Sequence, residues 1–115
     1  MKRLTISFGL LMFFTLTNLV FAGSSGITNI VSIESRESGY HAVYISGTMP
    51  DEGCTLLDRG ILIASTPGAE SMFNVAMAAL DKQNSVLIRV DGCTIIEPVQ
   101  PEHTAPHIRK IHIYP

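Results

Sequence analysis

The 115-residue chain has no tryptophan, only two cysteines, 7% aromatic residues and 16% charged ones. No Gly-x-Ser-x-Gly is present, so the strand-to-helix turn that exposes a hydrolase serine has no counterpart. No Cys-x-x-Cys occurs, and no histidine lies within four residues of either cysteine, which removes the common redox and zinc spacings. A cofactor-binding motif is lacking too, so no cofactor is expected. Basic residues are few: 8 Lys and Arg stand against 10 Asp and Glu. That balance gives no phosphate-attracting field, and no nucleic-acid partner is expected. The length admits one domain. These absences together predict a protein that is not an enzyme.

What is present begins with a leader. Lys2-Arg3 is followed by an apolar-rich run from Phe8 to Phe21, and Val20-Phe21-Ala22 supplies small residues at a cleavage position. This is the order of a secretory signal peptide. The run of 14 residues is short for a bilayer, which needs about 20. Residues 1–22 are therefore expected to be removed, leaving residues 23–115 as a single domain with Gly23-Ser24-Ser25-Gly26 as a flexible polar exit. Lys2 and Arg3 leave with the leader, so six basic residues then face ten acidic ones and the formal charge is −4. The start suits bacterial export, to the periplasm or the medium. No cysteine follows the apolar run at lipoprotein distance, and no membrane partner is expected after cleavage.

Export gives Cys54 and Cys93 their meaning. Two thiols in an oxidising compartment pair, and only one pairing is available. Closing a loop of that size stabilises the fold by roughly 4 kcal/mol, a large share of the roughly 5–10 kcal/mol expected of so small a domain.

Hydrophobic periodicity divides the rest. Residues 27–34 (ITNIVSIE) are rich in β-branched side chains and end in a polar turn at Ser35–Gly39. Residues 40–46 (YHAVYIS) set His41, Val43 and Ile45 against Tyr40, Ala42 and Tyr44, as a half-buried strand does. A loop with Pro50 and Gly53 leads to Cys54, and residues 60–64 (GILIA) read as a short buried strand. Ala69, Met72, Phe73, Ala76, Met77 and Leu80 then fall on one helical face. Thr66 is the expected N-cap with Pro67 at the first helical position. Residues 85–90 (SVLIRV) are a strand that Asp91-Gly92 should end. A loop over Glu97–Pro106 precedes a last strand at residues 107–114 (HIRKIHIY).

The order β-β-β-α-β-β predicts a mainly β domain, an OB-fold-like five-stranded barrel with one capping helix. The alternative is an open α+β sheet with the helix across one face.

One resemblance adds to this. Gly53-Cys54, Asp58-Arg59, the helix from Pro67 to Leu80, the stretch Ser85–Cys93 and the closing Pro106-x-Ile108-x-x-Ile111 carry it. In these the chain, over about Tyr40 to Tyr114, resembles a group of small exported bacterial proteins similar to the OB-fold B subunits of subtilase-cytotoxin and pertussis-like toxins. The resemblance implies the barrel and the Cys54–Cys93 link. Such B subunits bind glycans and form pentameric rings, so it also implies a toxin-B-subunit-like binding role, with no sugar-binding residue matched to a position in this sequence.

Among candidate site residues, Tyr40 and Tyr44 share one face of their strand with the small Ala42 between them. Tyrosine stacks on sugars and adds a polar contact, so the pair suits a glycan or peptide ligand; the competing reading places them in the core. His103 and His107 are the alternative, a metal-binding pair, because His107 and His112 have opposite strand parity. Asp58 and Asp91 stand beside turns and read as turn or surface groups rather than a catalytic carboxylate pair. Arg89, Arg109 and Lys110 make a basic patch if their strands adjoin, or else lie solvated or paired with Glu97 and Glu102.

The expected protein is thus a small exported, non-catalytic binding protein, its partner a glycan, an envelope or secreted protein, or a toxin chain. Self-association is compatible with its free strand edges. The runner-ups are a periplasmic metal-binding protein using His103 and His107, and an inhibitor or chaperone-like partner of an envelope protein.

Overall fold

A computed structural model describes residues 23–97 and 102–115. The expected leader and its cleavage site lie outside the described residues. The element order is β1 (Ser24–Arg36), β2 (Tyr40–Ile45), β3 (Arg59–Ile63), α1 (Ala69–Lys82), β4 (Ser85–Glu97) and β5 (His103–Ile113). The strands close into a ring in the order β1-β2-β3-β5-β4, with β4 returning to β1. This is the closed barrel and not the open sheet.

β1 makes the closure possible by changing partner half-way. Ser24 to Asn29 pair with β4, and Ile30 to Arg36 pair with β2. A bulge at Val31 and the left-handed Gly26 (φ 68°) bend the strand between its two sheets. The expected flexible exit is therefore structured: Ser24 pairs with Arg89, and the Gly23 carbonyl accepts the Val90 N–H at 2.8 Å. β3 and β5 meet in parallel at Ile61 and His107, which completes the ring.

Alternation puts Ile30, Val43, Ile45, Leu62, Val86, Ile88, Val90 and Ile108 inside, with Met49 from the β2–β3 loop. Gly60 is buried against this core: a Cβ there would stand 2.6 Å from Ile108 Cγ1 and 2.9 Å from Met49 Cε. Only glycine fits between those side chains.

α1 packs on the same core through Ala76 and Ala79, with Met72, Phe73 and Leu80 partly buried beside them. Met77, expected on the buried face, is 45% exposed. The buried positions Ala69, Ala76 and Ala79 are small, so the helix lies close to the strands, and its stripe runs through Ala79 rather than Met77. Thr66 is not the N-cap. The helix starts at Ala69 behind Gly68, whose φ of 81° no side-chain cap accompanies. Glu70 in the first turn and Lys82 in the last complement the helix dipole.

Two further expectations are corrected at β4 and β5. Asp91-Gly92 does not end the fourth strand: Gly92 (φ 77°) absorbs a bulge between Val90 and Cys93, and β4 runs on to Glu97. β5 begins at His103, so both ends of the expected Glu97–Pro106 loop, Glu97 and His103–Pro106, are strand, and residues 98–101 lie outside the described residues. Pro106 is tolerated because it sits opposite Cys93 next to that bulge, where ladder pairing is interrupted. The Cys54–Cys93 disulfide is present, with Cα atoms 5.6 Å apart, and ties the β2–β3 loop to the bulged part of β4.

Candidate functional site

Because side chains alternate along a strand, the residues of β2 that do not enter the barrel all face outward together. They are Tyr40, Ala42 and Tyr44. Strand register sets their neighbours. On β1, Arg36, Glu34 and Ser32 stand opposite Tyr40, Ala42 and Tyr44. On β3, Ile63, Ile61 and Arg59 stand opposite the same three. The outer face of β1-β2-β3 therefore carries two phenols in its central row, polar groups on one side and isoleucines with an arginine on the other.

The middle of this face is a second, smaller apolar cluster. Ala42, Ile61, Ile96 and Ala105 are buried in it, and Tyr40, Tyr44, Leu56 and Ile63 pack around it partly buried. Both readings of the tyrosines meet here, since each ring helps cover the cluster and keeps part of its surface in solvent. Spacing along the strand sets the two about 13 Å apart.

Their surroundings differ. The Tyr40 hydroxyl donates to the Ile96 carbonyl at 3.2 Å. Its ring lines a groove of ≈ 310 Å³ with Ser38, Gly39, Ile63, Thr94, Ile95 and Ile96. Ile95 is 52% exposed at the edge of that groove. Tyr44 stands at the charged end. The Arg59 guanidinium lies over its ring at 4.6 Å, and its hydroxyl donates to Glu34 Oε1 at a long 3.4 Å.

Two ion pairs frame Tyr44. Arg59 Nε donates to Asp58 Oδ1 at 2.8 Å, and Arg36 Nε meets Glu34 Oε1 at 3.2 Å. The hydrogen bond from Arg59 holds the Asp58 carboxyl below the usual carboxylate range. Desolvation raises the Tyr44 phenol above its ordinary value, against the pull of Arg59, so it is neutral at any physiological pH.

The histidines do not assemble. His103 and His107 occupy an extended strand with Ala105 between them, about 13 Å apart, whereas a loop would have let them converge. His107 Nε2 and the Thr66 hydroxyl lie 3.4 Å apart. Burial and the Arg109 charge lower the His107 pKa, with Asp91 opposing them. His41 stacks on Phe73 at 4.1 Å and its Nδ1 meets the Ser35 hydroxyl at 2.7 Å; the His112 ring lies tilted against Tyr114. Among the described residues no group of three or more His, Cys, Asp or Glu side chains is placed to hold a metal ion.

No protein-family model, no curated protein and no solved structure matches this chain.

The sequence alone singled out Tyr40 and Tyr44 but missed their partners. Arg59 and Glu34 become neighbours only through strand register. Ile95 and Ile96 were hidden by the expectation that the fourth strand stops at Val90. Asp58 and Asp91 form no carboxylate pair: Asp58 is engaged by Arg59, and Asp91 is exposed on the bulge of β4.

Proposed function

We propose that this chain is a small exported, non-catalytic binding protein of the OB-fold type, and that it holds a glycan on the outer face of β1-β2-β3. The observation that supports this most is the groove beside Tyr40, on the same outer face of β2 as Tyr44 and the charged groups around it. A pyranose needs an apolar platform for its C–H face and hydrogen-bonding groups at its edge. The Tyr40 ring with Ile63 and Ile95 offers the first. Arg36 and Glu34, opposite Tyr40 and Ala42 on β1, offer the second, and Tyr44, about 13 Å along the strand, is in reach of a following sugar.

The Cys54–Cys93 link supports the exported location, since such bonds persist in oxidising compartments. No helix among the described residues is long and apolar enough to cross a membrane. The resemblance to toxin B subunits, which bind glycans, points the same way.

An immobilised oligosaccharide array identifies the ligand, and titration of that sugar into variants tests the site. Tyr40→Ala and Glu34→Gln should each weaken binding at least ~10-fold, and Tyr40→Phe, which keeps the ring, should weaken it far less. Equal binding by all three variants contradicts the assignment of this face. Capture of a peptide by the Ile95 groove, with no sugar bound, would replace the glycan by a protein partner.

A further inference from the structure

Half of the basic residues beyond residue 22 gather on one face of the ring, away from the tyrosines. Arg89 and Lys110 stand directly opposite each other across the β4–β5 ladder and so project from the same outer face. Both are exposed, as is Arg109 beside Lys110. Like charges placed directly opposite in an antiparallel pair are destabilising. Nothing described relieves this: the ion pairs of the described residues join Arg36 to Glu34 and Arg59 to Asp58, and none reaches these three cations. Asp91, further along β4, pairs with none of them.

One step along the same face the chemistry turns apolar. Leu87 is flanked by Ile27 on β1 and His112 on β5. Ile27 is 69% exposed, the most exposed of the large hydrophobic residues described, and the Tyr114 ring lies tilted against His112 with ring centres 4.6 Å apart. A cationic row thus adjoins an apolar and aromatic row. None of the grooves at Tyr40, His41 and Leu80 is lined by any of these residues. Protein interfaces depend on a buried anchor seated in a pocket. A lipid surface needs no pocket. It asks for cations at headgroup level with apolar and tyrosine side chains beside them.

We propose that the outer face of β1-β4-β5 docks peripherally on an anionic lipid bilayer, with Arg89, Arg109 and Lys110 at the headgroups and Ile27 and Tyr114 at the acyl boundary. Once the leader is removed the sequence gives no reason to expect a membrane partner; the fold supplies one by collecting cations that are dispersed in sequence. The proposal does not depend on the glycan reading, which concerns a different face.

Co-sedimentation of the mature, oxidised protein with vesicles tests it. Phosphatidylglycerol vesicles should bind it, phosphatidylcholine vesicles should not, and raising salt should weaken the binding. Each cation contributes about fivefold to partitioning, so Arg89→Gln/Lys110→Gln should reduce binding about 30-fold. Ile27→Ser should reduce it without changing the salt dependence. The Gln pair removes a like-charge contact and should not lower the melting temperature. Failure to bind phosphatidylglycerol overturns the proposal. So does binding that the Gln pair leaves unchanged, or equal retention on heparin and phosphatidylglycerol, which would indicate a general polyanion site.

Discussion

The Arg59 guanidinium lies 4.6 Å from the centre of the Tyr44 ring and at the same time donates to Asp58 Oδ1 at 2.8 Å. One side chain therefore holds a carboxylate ionised and a phenol ring in place. A cation over an exposed ring is worth about 0.5–1 kcal/mol, and an exposed ion pair about as little. The arrangement positions Tyr44 more than it stabilises the fold. In Arg59→Gln the Asp58 carboxyl should titrate at higher pH than in the wild type, read by carbon-detected NMR. The wild-type group has a lowered folded pKa, so its stabilising contribution is present above about pH 4 and is lost as pH falls through the folded value. An Asp58 titration unaffected by the substitution would show that Arg59 does not set it.

Gly60→Ala should destabilise the domain by about 1–3 kcal/mol, as overpacking a filled core does. Its new methyl meets both Ile108 and Met49 inside van der Waals contact. Chemical denaturation reads the change directly. Pairing it with Met49→Ala, which removes one of the two clashing side chains, should recover part of the clash in a double-mutant cycle. Strict additivity of the two losses would show that the methyl does not meet Met49.

Replacing Cys54 and Cys93 by serine releases the loop between β2 and β3 from β4. Loop closure over a separation of 39 residues gives an expected loss of about 4 kcal/mol. For a domain of this size the melting temperature should fall by about 15–30 °C. Calorimetry of the oxidised protein and the double variant decides it, and coincident transitions would mean the link adds nothing.

His107 should make the domain acid-sensitive. Burial and Arg109 lower its folded pKa, so below about pH 6.5 the unfolded chain takes up a proton that the folded chain refuses. Stability should therefore decline as pH falls from about 6.5 to the folded value. His107→Gln should flatten that part of the pH–stability curve. An unchanged slope would place the sensitivity elsewhere.

The sequence was most legible where a local pattern and the fold agree. The alternation through Tyr40–Ile45 reads correctly because one face of β2 enters the barrel, and the helix reads from Ala69, Met72, Phe73 and Ala76. The Cys54–Cys93 pairing follows from there being two cysteines. Illegible parts depend on tertiary context. Asp91-Gly92 has turn composition, but a bulge uses it to bend a strand that goes on to Glu97. Thr66 and Pro67 make a good helix start, yet the chain enters through Gly68. Neither the Arg59–Tyr44 contact nor the Arg89–Lys110 row exists before strand register is fixed.

Binding of a glycan on the outer face of β2 is what the proposed function stands on. Amide chemical-shift mapping on residues 23–115, with the best oligosaccharide from an array, is the decisive measurement. Perturbations should be confined to residues 34–44, 59–63 and 94–96, with the largest around Tyr40. Perturbations centred on Arg89 and Lys110, or an array on which no sugar binds, would contradict it.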